Sequence, residues 1–232
     1  MVKAVSFDVW GTLLDLDRTL RETSRVIAGE LGQPFDGVYQ RVLEAHEEAR
    51  RMRRRALIPG NETVKAGQEI LARKLGVEVR EVEGLIHRAF LKVDPREITY
   101  SDVPGTLEEL SRRGLRIAVA GNVLFWPSSY TWMLLEKGGL TRFVEVKLFS
   151  DETGFNKPDR GFFLTLLEKL GLEPGEVAHV GDNVIEDVGG PMSVGMKAVL
   201  VKRDLKVVAT FNLLGVAVVY SLTQLPSVLN LI

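Results

Sequence analysis

Three acids, one lysine and one Gly-Asn pair stand out along this 232-residue chain, because each ends or follows a short apolar run. Asp8 closes the run built from Val2, Ala4, Val5 and Phe7, and Gly11 follows to let the chain turn. A carboxylate at the tip of a buried strand is costly unless it faces a cleft, a metal or a substrate. The competing reading is that Asp8 only caps the next turn. Gly121-Asn122 follows Ala118-Val119-Ala120, and Lys157 lies in the loop SDETGFNKPD. Gly181-Asp182 follows Val177 to Val180, with Asp187 five residues on. Parallel strands would bring all four points to one sheet edge. Clustered acids there would suit Mg²⁺. A lysine beside them would hold a transferring phosphoryl group or neutralise the crowded carboxylates. Asn122 and the neighbouring loop N–H groups would bind anionic oxygens. Together they form a kit for in-line displacement by an aspartate nucleophile.

The elements that must position these groups follow from periodicity. From residue 16 to 93 helical spacing dominates, and four amphipathic helices are expected. Gly32 and Pro34 end the first, Pro59-Gly60 the second and Gly76 the third, and the fourth stops before Pro95. Strands and helices then alternate. Strands are expected at 115–120, 144–149, 177–180, 198–201 and 217–220, with helices at 104–113, 128–137, 160–170, 184–194 and 222–229. That alternation predicts an α/β fold, a Rossmann-like doubly wound parallel sheet, with a four-helix bundle inserted after the first strand. The expected division is a core of residues 1–14 and 99–232 and a helical cap of residues 15–98.

Composition narrows the class. The chain is 45% hydrophobic with a formal charge of −1, so nothing points to nucleic acid or another polyanion. There is no cysteine, which removes disulfides, thiolate catalysis and Cys-ligated metal. No apolar run is long enough to span a membrane, and the N-terminus does not read as a signal peptide. The expectation is a cytoplasmic protein of undefined oligomeric state acting on a small, anionic molecule. No G-x-G-x-x-G array is present, which argues against a dinucleotide.

The ordered set FDVWGTLLD, VAGN, NKPD and HVGDNVIED resembles the four motifs of the haloacid dehalogenase (HAD) superfamily of hydrolases, specifically its archaeal dehalogenase-like members. The resemblance covers the whole chain, with the helical stretch matching that family's cap. It implies that Asp8 is a nucleophile forming a covalent aspartyl intermediate and that Lys157 stabilises the nucleophile and an anionic substrate. It also implies Mg²⁺ held by Asp8, Asp182 and the backbone carbonyl of Trp10, with Asp187 behind them. Trp10, Thr12, Gly121, Asn122 and Trp126 are then the expected substrate-binding residues.

Two positions depart from the family's phosphatases. Where they carry a second aspartate as general acid and base, this chain has Trp10, whose indole only donates. Where they carry a hydroxyl residue before Asn122, it has Gly121. Haloacid dehalogenases also lack the second acid, since halide leaves without a proton, but the resemblance implies that they have lost the acid at position 182. The leading expectation is a Mg²⁺-dependent phosphohydrolase working through an aspartyl-phosphate. A 2-haloacid dehalogenase forming an aspartyl ester, or a weakly active or non-catalytic relative that binds a phosphorylated ligand, are the alternatives.

Other side chains admit two readings each. The run Arg50, Arg51, Arg53, Arg54, Arg55 wraps a helix and reads as salt-bridged surface; the sharper reading sends one arginine over Asp8 toward the substrate. Phe125 and Trp126 either wall the pocket with Trp10 or pack beneath the helical bundle. Asp151 and Glu152 either orient Lys157 or sit in a solvated loop. His46 and His87 read as surface or core, and His179 as buried structure.

Overall fold

The computed structural model describes residues Met1–Ile232. Seven strands form one sheet: β1 (Ala4–Phe7), β2 (Arg116–Gly121), β3 (Val146–Phe149), β4 (Val177–Gly181), β5 (Lys197–Val201), β6 (Ala209–Phe211) and β7 (Val216–Val219). Their order is β3-β2-β1-β4-β5-β7-β6, parallel throughout except for β6 against β7. The expected doubly wound α/β sheet is therefore present, with β6 as an addition. Its three residues sit in an apolar stretch that has no period to read, and only the partner strand defines it.

Alternation along the strands builds two cores. Val5, Phe7, Ile117, Val119 and Val180 join a cluster of 47 buried residues on one face. Ala4, Ala118, Ala120 and Val177 join a smaller cluster on the other, under Phe162, Phe163 and Leu166. Burial on both faces is what requires near-continuous apolar runs in these strands.

Between β1 and β2 lie α1 (Leu16–Leu31), α2 (Phe35–Arg54), α3 (Thr63–Leu75), α4 (Val79–Lys92), α5 (Pro95–Ile98) and α6 (Val103–Arg112). The first four pack on one another around Val38, Val42, Leu71, Leu85 and Phe90, all in the larger cluster. Asp15 caps α1 through Arg18 N–H, and Gly32 and Gly76 close α1 and α3 with positive φ. The second helix ends at Arg54, earlier than expected, because Ala56 turns into the left-handed region at φ 53° and its N–H returns to Arg53 O. After β2 come α7 (Ser128–Lys137), α8 (Ser150–Thr153), α9 (Arg160–Leu170), α10 (Gly190–Met192) and α11 (Leu225–Val228). The expected helix at 184–194 is instead a π-helical turn, Val184–Gly189, running into α10. No helix is long and apolar enough to cross a membrane.

The chain walks from β1 outward to β3 and then returns to β4 on the other side of β1. That reversal leaves a crevice at the carboxyl ends of β1 and β4, where open α/β sheets bind ligands.

Candidate active site

Register places Asp8 and Asp182 side by side. Phe7 pairs with Val180 and Asp8 N–H donates to Val180 O, so both strands release their acids at the crevice. Two glycines permit the crowding. A Cβ on Gly11, itself at φ +89°, would stand 2.7 Å from an Asp182 carboxylate oxygen. A Cβ on Gly181 would stand 2.3 Å from the Asp187 carboxyl carbon.

Lys157 is 1% exposed, and its Nζ donates to Asp8 Oδ1 and Asp187 Oδ1 at 2.7 Å each. Burial works against its charge, but the two carboxylates outweigh it and hold the ammonium above the usual lysine range. Asp187 also accepts from His179 Nε2 at 3.1 Å and from Asn183 N–H at 3.0 Å. Lys157 first, then His179, overcome its burial and hold it well below the carboxylate range. A carboxylate only accepts, so Nε2 carries the hydrogen and Nδ1 accepts from Ser6 Oγ at 2.8 Å. His179 is buried, as expected, and burial lowers it further toward the neutral form. Its bond to Asp187 carries no local sequence signal, although the strand register that aligns Asp8 with Asp182 also sets Ser6 beside His179.

Asp8 differs from Asp187. Burial pushes it up to about 8; Lys157 pulls against this, and Asp187 and Asp182 add to the push. Asp182 is raised by burial and then by Asp187. Three carboxylates, each with one oxygen within 4.8 Å of the others, stand around one ammonium, which pairs with Asp8 and Asp187. Buried oxygen donors with excess negative charge fit a hard divalent cation. Asp187 is committed to Lys157, His179 and Asn183, whereas Asp8 gives only Oδ1 to Lys157 and the Asp182 carboxylate has no side-chain partner.

Above this floor a cavity of about 90 Å³ is lined by Asp8, Trp10, Asn122, Trp126, Asp182 and Asp187 together with residues of the helical insert, His46, Arg50 and Arg53. Trp126 meets Trp10 edge-on at 5.3 Å and Phe90 of α4 at 4.7 Å, so it is both pocket wall and inter-layer core. Phe125 is core, set against His46. Gly67 of α3 allows this seating, since a Cβ there would lie 2.2 Å from Leu124 O.

Two expected substrate-binding residues lie off the cavity, and two open readings resolve. Thr12 does not line the cavity: it is fully buried, its hydroxyl has no partner and its carbonyl accepts from Arg203. Gly121 does not line it either, and a Cβ there would press on the Phe149 ring at 3.2 Å. Asp151 and Glu152 do not orient Lys157; Asp151 accepts from Ser128 N–H and Glu152 pairs with Lys147. The arginine run is not uniformly surface. Arg53 grips both oxygens of Glu186 at 3.0 and 2.9 Å, and Arg54 adds a bond at 3.1 Å.

Glu186 is a functional residue that the sequence motifs do not single out. Burial raises it, but Arg53 and Lys157 more than compensate and hold it below the usual carboxylate range. It also accepts from Asn122 Nδ2 at 2.9 Å, while Asn122 Oδ1 accepts from Lys157 N–H at 2.8 Å. The Asn122 amide, expected to bind substrate oxygens, is thus spent on Glu186 and the Lys157 backbone here, and Val123 N–H is spent on Ser150 Oγ. No local signal announces Glu186, because its two arginine partners lie more than a hundred residues upstream.

A model of haloacid dehalogenase-like hydrolases matches residues 2–195. The chain is similar to a phosphoserine phosphatase of Thermus thermophilus, 30% identical over 84% of this chain and 89% of that one. A glyceraldehyde 3-phosphate phosphatase of Methanothermobacter thermautotrophicus is 27% identical over 99% of this chain and 100% of its own. A ribulose-1,5-bisphosphate 5-phosphatase of Halopiger xanaduensis is 36% identical, but the match spans only 43% of this chain and 40% of that one. Among solved structures, the L-2-haloacid dehalogenase of Xanthobacter autotrophicus superposes with a TM-score of 0.72, 21% identity and 99% of both chains covered, a likeness of fold.

Proposed function

The chain belongs to the haloacid dehalogenase-like hydrolases, and we propose that it is a phosphohydrolase of small molecules that works through a phosphorylated Asp8. The observation that carries this reading is the surplus of carboxylate beside the nucleophile. Asp182 and Asp187 crowd Asp8 around a single ammonium, an arrangement that halide displacement does not need. The full-length relatives named as phosphatases support it.

Asp8 Oδ1 is held by Lys157, which leaves Oδ2 to attack phosphorus. The Asp8–phosphorus bond forms as the ester P–O bond breaks, and water then cleaves the acyl phosphate to regenerate the carboxylate and release phosphate. Lys157 steadies the nucleophile and the negative charge on the transferring group. Asp8 and Asp182, with Asp187 behind them, would hold Mg²⁺, which when bound neutralises charge on the phosphoryl oxygens. The helical insert acts as a cap over the crevice, and the Arg53–Glu186 contact closes it.

Trp10 leaves the departing oxygen without the usual proton donor. Activated esters should therefore turn over faster than alkyl phosphates. The same residue favours the second reading, dehalogenation of a small 2-haloacid by Asp8. Hydrolysis of p-nitrophenyl phosphate and of L-2-chloropropionate, each with and without Mg²⁺, separates the two. Mg²⁺-dependent p-nitrophenol release that is lost in Asp8→Asn supports the phosphohydrolase. Metal-independent chloride release would replace it with the dehalogenase.

A further inference from the structure

The roof of the cavity carries cationic and neutral donors that the reaction at Asp8 does not use. His46, Arg50 and Arg53 lie at i, i+4 and i+7 on α2, which puts them on one stripe, and all three line the cavity above Asp8. Arg53 spends both terminal nitrogens on Glu186 and Val123 O, and only its Nε is without a partner. Arg50 spends less. It gives one Nη2 bond at 2.6 Å to Glu47, a pair in which both side chains are more than a third exposed. Such a pair is easily exchanged for another. Arg50 Nε is buried with no partner at all. A guanidinium has five N–H donors, so most of this one's capacity is unspent. His46, edge-on to Phe125 at 5.9 Å, makes no hydrogen bond.

A buried donor without an acceptor is an expensive thing to maintain in a folded protein. Arg50 Nε on the face of a substrate cavity, with His46 one turn before it lining the same space and making no hydrogen bond, points to an acceptor that arrives with the ligand. The floor already accounts for the phosphoryl group, and the roof faces the part of the substrate that departs. The small cavity favours a short molecule whose far end reaches α2. A planar guanidinium fork suits a carboxylate.

We propose that Arg50 and His46 form a subsite for a carboxylate on the leaving group, so that the favoured substrates are short phosphorylated acids. The proposal rests on the phosphohydrolase reading above. Arg50 supplies the charge and His46 a single neutral hydrogen bond. Trp10, Leu16, Leu124 and Trp126 complete the lining with apolar surface, which strengthens both contacts by keeping water out.

The test compares 3-phosphoglycerate with glycerol 3-phosphate, which differ only in a carboxylate against a hydroxymethyl group, with p-nitrophenyl phosphate alongside. The wild-type enzyme should prefer the acid in kcat/KM by about 10- to 100-fold, the weight of a hydrogen bond to a charged group. Arg50→Gln should bring that ratio close to one, mainly through KM for the acid, and Arg50→Lys should restore part of it. Arg51→Gln, on the exposed side of the same helix, should leave the ratio as it was. Equal kcat/KM for the two natural esters, or a loss in Arg50→Gln that is the same for both, would overturn the subsite while leaving the phosphohydrolase standing. A preference instead for a bisphosphorylated sugar would assign the roof to a second phosphate and overturn the carboxylate. Silence on every phosphate ester, p-nitrophenyl phosphate included, would bring down both readings together.

Discussion

The floor and the roof of the cavity are built by opposite rules. On the floor, Lys157, Asp187, His179 and Ser6 form a closed chain in which each charged or polar group has its partner. On the roof, Arg50 and His46 face the same space with donors to spare. Paired groups are held in one geometry, which is what a reaction centre needs before the substrate arrives. Unpaired groups keep their hydrogen bonds for the ligand, which is what discrimination needs. The contrast teaches that the chemistry is anchored in the sheet, where backbone register sets every position. Recognition is carried by one face of one helix.

The largest expected effects are on the floor. Asp8→Asn should cost at least about 10⁴-fold in kcat on any phosphate ester, since residues acting as a unit with the nucleophile cannot replace it. Chelation of divalent cations should abolish turnover of the wild type, and added Mg²⁺ should restore it. Lys157→Met tests the same unit by stability. It strands Asp8 and Asp187 without their shared cation, and breaking such a buried pair costs about 3–5 kcal/mol. Urea unfolding would read this directly. A loss of less than 1 kcal/mol would mean that the floor is not the closed network described.

Glu186 sits between floor and roof, so its removal should blur the comparison. Glu186→Ala frees Arg53 and Arg54 from the sheet edge and unties Asn122. The Arg53–Glu186 pair is almost wholly buried, at 8% and 7% side-chain exposure, and losing one partner should cost about 3 kcal/mol. A double-mutant cycle with Arg53→Met should return a coupling of about 1–3 kcal/mol if the two act as one latch. A coupling near zero would make the contact incidental.

How much of this was legible in the chain follows the same division. The strand ends are local features. Apolar runs stop beside Asp8, Asn122 and Asp182, and Lys157 lies in the loop after another, so all four could be expected at one edge before any contact was known. The four helices followed from period and from Gly32 and Gly76. What escaped was relational. Glu186 looks like a turn residue until Arg53, 133 positions earlier, is folded onto it. Ser6 and His179 look like ordinary strand positions until the register pairs them. Thr12 and Gly121 sit inside motif-like runs, yet backbone packing turns them away from the cavity. The arginine run wraps the end of α2 as expected, but only packing selects the stripe through Arg50 and Arg53 that looks inward.

The smallest effect, and the one that sharpens the contrast most, is the pH dependence of stability from His46. Burial first, then Arg50 and Arg53, lower this imidazole from its usual value to about 4 against the weaker upward pull of Glu47 and Glu186. The folded state therefore refuses a proton that the unfolded chain accepts below its ordinary pKa near 6.5. Between those two values the unfolded state binds more protons, so stability falls as pH falls. The contribution is fully present above the unfolded value and is spent as pH drops through the folded one. At pH 5 this amounts to about 2 kcal/mol of lost stability relative to pH 7. His46→Gln has nothing to titrate and should lose about 2 kcal/mol less than the wild type over the same interval. Urea unfolding of both proteins at pH 7 and pH 5 measures the difference. His179, buried on the floor with Ser6 and Asp187 on its two nitrogens, makes the paired counterpart, because its hydrogen bonds are satisfied in the neutral form. If wild type and His46→Gln lose the same amount between pH 7 and pH 5, His46 is already paired or solvated in the folded protein, and the roof is no more open than the floor.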